Sequence, residues 1–157
     1  MKKDFIQIDF KKYDSIDELS PEYQKLWNAA LDARKFSHSP YSNFTVGAAI
    51  ELEDGEIITG TNQENASFPA GLCAERTAMY RAGIQAPNKK FKKIAIAASR
   101  RDSDILASAP PCGGCRQVML EFEKRQQQGF ELLFTDAEGK FIIIDKPTDL
   151  FPFSFVF

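Results

Sequence analysis

The stretch "KKIAIAASRRDSDILASAPPCGGCRQVMLEFEKRQQQ", residues 92–128, sets a strand and a helix on either side of a cysteine pair. Its opening run "KKIAIAAS" (92–99) is short, apolar and rich in isoleucine and alanine, and it reads as a buried strand. "CRQVMLEFEKRQQQ" (115–128) has helical spacing, with Gly129 as its stop. Working back towards the N-terminus, "CAERTAMYRAGI" (73–84) is a second helix. Before it, "FTVGAAIEL" (44–52), the turn "EDGE" and "IITGTN" (57–62) form an antiparallel hairpin. Ser20 and Pro21 open an earlier helix, which Leu26, Trp27, Ala30 and Ala33 continue to about Arg34. Towards the C-terminus, "FELLFTDAEGKFIII" (130–144) offers two more strands around a glycine turn. Strands and helices thus alternate, which predicts a three-layer α/β/α fold with one mixed sheet of about five strands. Ile6, Ile8 and Phe10 alternate with polar residues and predict a short edge strand ahead of the main body. With no internal repeat and no low-complexity linker, residues 1–157 are expected to form one domain, with 1–17 as an N-terminal extension.

A chain of 157 residues, 43% hydrophobic, can bury one sizeable core. Its formal net charge of -2 lacks the basic excess needed to grip many phosphates, so a small uncharged partner is expected and a nucleic acid is not. The lysine run "NKKFKK" (88–93) reads as a solvated edge. Asp4 and Asp9 interrupt the N-terminal segment, which has no apolar run of signal-peptide length, and no segment is long enough to span a membrane. A cytoplasmic location is therefore expected. There, an odd count of three cysteines favours thiols, catalytic groups or metal ligands over structural disulfides.

Cys112 and Cys115 have the spacing of two ligands to one metal ion, with Gly113 and Gly114 expected to let the backbone curl between them. The same spacing also serves redox chemistry. Cys73 decides more, because it opens the other predicted helix and places a third sulfur at a helix N-terminus, where the macrodipole favours thiolate. Three sulfurs leave zinc one ligand short of a closed structural site, so a water can occupy the fourth position. Glu75, two residues beyond Cys73, is the carboxylate that proton-shuttling hydrolysis would need beside that water. In a regular helix residues i and i+2 face apart, so Cys73 must precede the helical backbone. Zinc with three thiolates carries a formal charge of -1, which weakens its acidification of water. Arg76 and Arg116 sit beside the ligands, and one or both are expected to hydrogen-bond the sulfurs and restore Lewis acidity.

"CAER" and "PCGGCRQ", together with "PYSNFTVGAA", "NQENASFPAGLCAERTA" and "DLFPFSF", resemble the cytidine deaminases from about residue 36 to 155. The resemblance implies the cytidine-deaminase-like form of the three-layer fold, with Zn2+ held by Cys73, Cys112 and Cys115. It implies that water attacks C4 of the cytosine ring while Glu75 takes its proton, protonates N3 and serves the departing amine. Asn62 and Glu64 match the family's sugar-binding pair, Phe44 an aromatic that packs on the base, and Ala74 a further substrate contact. Phe155 matches the C-terminal aromatic that reaches a neighbouring subunit's site in the homotetrameric members. In this chain Phe151 replaces a usual leucine, and Phe153 and Phe157 are alternative registers for that aromatic. Deamination of cytidine and deoxycytidine in pyrimidine salvage is the function this implies. A deaminase of another cytosine nucleoside, such as a blasticidin S-like antibiotic, is the nearest alternative, and a non-catalytic zinc-stabilised module is a more distant one. In the last case His38, the sole histidine, would close the site as fourth ligand.

Overall fold

The structure, a computed structural model, describes residues 1–155. Its strands are β1 (Lys11–Tyr13), β2 (Phe44–Leu52), β3 (Ile57–Thr61), β4 (Phe91–Arg100), β5 (Glu131–Thr135) and β6 (Phe141–Ile144). Three α-helices intervene among them: α1 (Pro21–Ala33), α2 (Ala74–Gln85) and α3 (Gly113–Gln126). The strands form one six-stranded sheet in the order β1-β6-β5-β4-β2-β3. Only β4 and β5 run parallel, joined by the crossover through α3, and every other pairing is antiparallel.

Strand alternation decides the layers. Ala48, Ile50 and Leu52 of β2 and Ile94, Ile96 and Ala98 of β4 point to one face, where Ala78 and Met79 of α2 and Met119 and Phe122 of α3 cover them. The intervening Ala49, Ala95 and Ala97 point to the other face, under Leu26, Trp27 and Ala30 of α1. Trp27 packs edge-on against Phe141 of β6 with ring centroids 5.0 Å apart. The result is the expected three-layer arrangement.

The sheet has six strands rather than about five because the N-terminal segment joins it. That strand lies at Lys11–Tyr13, paired with Phe141–Ile143, and not at Ile6–Phe10. Residues 1–10 are exposed, with Phe5 84% and Phe10 57% accessible, so the alternation there has no face to bury against. Of two helix ends expected from the sequence, one is met and one is not. Ser20 occupies the N-cap of α1 without a side-chain capping bond, and Pro21 follows it as expected. α3 ends on Gln127, in the left-handed conformation at φ 55°, before Gly129 is reached. Gly129 is needed for another reason: a Cβ there would lie 2.9 Å from Lys146 Cβ.

Two glycines seat the helices on the sheet. A Cβ on Gly47 would meet Ala30 O at 2.0 Å, and one on Gly60 would meet Ala78 N at 2.3 Å, so α1 and α2 cross bare backbone. Among the described residues, no helix is long and apolar enough to cross a membrane.

Candidate metal and substrate site

α2 and α3 lie on the same face of the sheet, and their N-termini converge. Cys73 is the N-cap of α2 with extended backbone (φ -70°, ψ 155°), and Cys112 caps α3 in the same way (φ -69°, ψ 166°). Because Cys73 precedes the helical backbone, it and Glu75 escape the geometry that would turn i and i+2 apart. Cys115 lies in the first turn of α3, fully buried. The Sγ atoms of Cys73 and Cys112 are 3.8 Å apart, those of Cys112 and Cys115 3.5 Å, and all three lie within 4.8 Å of one another. Ligands at about 2.3 Å around a tetrahedral zinc stand about 3.8 Å from each other, so the donor set fits that ion. A disulfide needs about 2.05 Å. His38 is not part of this group, the one cluster of metal-ligating side chains found among the described residues. The glycines between Cys112 and Cys115 are not forced by sterics: a Cβ on Gly113 or Gly114 meets nothing within 4 Å. The helix start itself supplies the curl.

The electrostatics favour thiolate at the helix entry. Hydrogen bonding from Cys115 pulls the Cys73 thiol down to about 5 against the opposing effect of burial, with Arg76 and Cys112 assisting. The Cys115 thiol, donating that bond from a buried position, is pushed up. Arg76 Nη2 reaches Cys73 Sγ at 3.5 Å. Arg116 does not reach a sulfur; its Nε donates to Pro111 O at 2.8 Å and its Nη1 to Leu150 O at 2.9 Å. It ties the cysteine loop to the C-terminal segment instead. Glu75 is 5% exposed, and desolvation, with the neighbouring Cys73 charge, raises its carboxyl above the ordinary value.

These groups border a cavity of about 790 Å³ whose wall includes Cys73, Cys112, Glu75, Phe44, Asn62 and Glu64. Asn62 is 9% exposed, and its Oδ1 accepts from Val46 N at 2.9 Å and Ser37 Oγ at 2.6 Å. Its Nδ2 donates to Phe44 O at 2.9 Å, which leaves one amide proton uncommitted. Glu64 accepts from the backbone N–H groups of Tyr41 (2.9 Å) and Ser42 (3.3 Å) and from the Ser42 hydroxyl. Phe44 is half-buried beside the larger core cluster. Ala74, the first residue of α2, has no exposed surface and lies outside the cavity wall. Phe155 is 66% exposed and is not part of its own chain's cavity wall, and its carbonyl accepts from Gln117 Nε2 at 3.2 Å. Phe157, an alternative register for that aromatic, lies outside the described residues.

Tyr41 and Phe68 also line the cavity, packed edge-on at 5.8 Å. Sequence reasoning missed these two and the hydroxyls of Ser37 and Ser42. The turn-rich "SHSPYSN" was the only local signal for Tyr41 and the two serines, and it marks a loop without saying what the loop holds.

Residues 20–128 match the family model described as the cytidine and deoxycytidylate deaminase zinc-binding region. A relative named "Probable cytidine deaminase" from Dictyostelium discoideum is 42% identical over 101 residues, covering 64% of this chain and 65% of the relative, just under two thirds of its length. A cytidine deaminase from Halalkalibacterium halodurans is 44% identical over 98 residues, covering 62% of this chain and 70% of the relative. Among solved structures, a cytidine deaminase from Burkholderia pseudomallei superposes with a TM-score of 0.70 at 36% identity, covering 84% of this chain and 98% of that one.

Proposed function

The chain belongs to the cytidine and deoxycytidylate deaminase zinc-binding family, and from its site we propose that it hydrolyses cytidine and deoxycytidine to uridine and deoxyuridine, releasing ammonia. The observation that carries this reading is a cluster of three thiols, two of which, Cys73 and Cys112, line a cavity together with the buried Glu75 carboxyl, Asn62 and Glu64. Cys73, Cys112 and Cys115 are the zinc ligands. Zinc bound there supplies a Lewis acid that makes water nucleophilic near neutral pH.

Glu75 then handles the protons. It accepts one from the attacking water, places it on N3 of the ring and delivers another to the departing amine. Its raised pKa suits a group that must both accept and release a proton. Arg76 lends positive charge to Cys73 and offsets the excess of three thiolates over a divalent ion. Phe44 packs on the base, while the uncommitted amide proton of Asn62 and the Glu64 carboxylate take the sugar hydroxyls.

A nucleoside fits better than a nucleotide or a nucleic acid. Arg76, the one cation on the cavity wall among the described residues, is engaged with Cys73, and a phosphate would face the Glu64 carboxylate. Nor does "NKKFKK" form a basic groove: Lys89 pairs with Asp54 and Glu56, Lys92 with Glu51, and Lys93 with Glu51 and Glu22. The proposal extends to a single domain over 1–157 acting as a cytoplasmic homotetramer in pyrimidine salvage. Exposed Phe153 and Phe155 support a C-terminal aromatic directed to a neighbouring site.

The test is ultraviolet-monitored deamination of cytidine and deoxycytidine, with zinc counted per chain and Glu75→Ala as control. One zinc per chain and turnover abolished in the folded, zinc-loaded variant are expected. A full zinc load without turnover of either nucleoside overturns the assignment.

A further inference from the structure

Arg101 lies just beyond β4, outside the cavity wall, and the chemistry above does not use it. Its guanidinium nonetheless spans the loop formed by residues 37–43. Nη2 donates to Ser39 Oγ at 3.0 Å and Nε to Asn43 Oδ1 at 3.2 Å. Asn43 sits in the left-handed region at φ 55°, a conformation that asparagine tolerates, and its N–H closes a turn on Ser39 O at 3.2 Å.

From Ser39, which has no exposed surface, the contacts run inward. The hydroxyl oxygens of Ser39 and Ser37 are 3.1 Å apart, and Ser37 donates to Asn62 Oδ1 at 2.6 Å. A hydroxyl has one proton. Since Ser37 gives its proton to Asn62, Ser39 must donate to Ser37 and can only accept from Arg101. The chain Arg101, Ser39, Ser37, Asn62 therefore has one direction, and its last bond keeps the Asn62 oxygen turned away from substrate duty. Tyr41 and Ser42, on the same loop, hold Glu64 through their backbone N–H groups.

We propose that Arg101 is the positioning residue for the sugar end of the cavity. It fixes the 37–43 loop and, through Ser39 and Ser37, the amide of Asn62, and so governs affinity for the sugar without touching it. The inference rests on the reading above that Asn62 and Glu64 take the sugar.

The test compares wild type with Arg101→Ala, Ser39→Ala, the double variant and Arg101→Lys. Kinetics on cytidine are paired with calorimetric binding of uridine and of uracil to the zinc-loaded protein. Arg101→Ala keeps the backbone bond from Arg101 N to Asn43 O at 2.9 Å, so only the side-chain clamp is lost. The expected result is a KM for cytidine raised about tenfold with kcat within about twofold. Uridine affinity falls in parallel, and uracil affinity stays unchanged. The double variant is no worse than Arg101→Ala, because both changes break one chain. Lysine restores part of the loss, since an ammonium can serve one of the two acceptors. Unchanged KM and uridine affinity, an equal loss for uracil and uridine, or a fall in kcat at constant KM each overturn the proposal. Should Arg101→Ala not fold, Ser39→Ala breaks the same chain and carries the same readouts. A wild type that binds uridine but leaves cytidine unchanged sinks the deaminase reading while the uridine comparison still decides this one. A wild type that neither binds uridine nor turns over cytidine sinks both.

Discussion

Replacing Gly60 with alanine should damage the metal and substrate site from the far side of α2. Gly60 sits in β3 opposite Ala48, and a Cβ added there would lie 2.3 Å from Ala78 N, 2.7 Å from Ala78 Cα and 2.8 Å from Ala74 O. Every one of these atoms is backbone, so no rotamer change can make room. Ordinary contact begins at 3.4 Å, and α2 must therefore withdraw by about 1 Å in an interior packed like a crystal. Overpacking of this kind costs about 1 to 3 kcal/mol, or about 2 to 4 °C of Tm per kcal/mol at this chain length. The withdrawn helix carries Glu75 and is entered through Cys73, while Cys112 and Cys115 stay with α3. A displacement of about 1 Å in reacting groups can lower turnover about a hundredfold. Thermal unfolding, zinc per chain and kcat on cytidine should be measured together for Gly60→Ala. At a strain-free position the same change stabilises by about 0.4 to 1 kcal/mol through the unfolded state. A raised Tm with wild-type turnover would refute the claim that bare backbone at Gly60 sets the height of α2.

Two further predictions address charge. Arg76→Gln removes the 3.5 Å contact to Cys73 Sγ and should lower zinc retention or kcat/KM about 10- to 100-fold; competition with a zinc-binding dye and steady-state kinetics check it, and wild-type values for both remove Arg76 from the site's support. Glu51 and Lys93, 11% and 8% exposed, are paired at 3.2 Å, and Glu51→Gln leaves Lys93 with the exposed Glu22 at 3.4 Å and the Tyr23 ring at 5.1 Å, at a cost of up to about 3 kcal/mol in urea unfolding near neutral pH. Burial opposes the charge on Glu51, but hydrogen bonds from Lys93 and Lys92 outweigh it and hold the carboxyl below 4.5. The pair's contribution is therefore complete above that pH and lost as the pH falls through the lowered value, so Glu51→Gln should flatten the acid-side loss of stability that wild type shows. An equal acid slope in both proteins contradicts this.

Local chemistry made the elements legible. β2 at 44–52 coincides with the expected strand, and α2 and β4 differ by a residue or so at their ends, because alternation, apolar runs and turn residues act over a few neighbours. Cys73, Cys112, Cys115 and Glu75 could be singled out for the same reason: thiols and a carboxylate at helix starts are recognisable by type and spacing. The places where the structure departs from the local pattern depend on distant partners. Ile6–Phe10 alternate like a strand, yet β1 forms at Lys11–Tyr13, where Phe141–Ile143 offers an edge. Arg116 follows a cysteine, yet it turns to Pro111 and Leu150, carbonyls its own sequence neighbourhood does not reveal as acceptors.

By itself the sequence determined which side chains could bind a metal, move protons or build strands and helices, since residue type and short-range period carry that information. Only the tertiary structure decided that α2 and α3 cover the same face of the sheet, bringing Cys73 within 3.8 Å of Cys112 across 39 positions of chain. It also decided that Arg101 reaches a loop some sixty residues earlier, with bonds to Ser39 and Asn43. Strand order and helix side follow from the joint burial of apolar faces across the whole sheet, and no local window contains that sum.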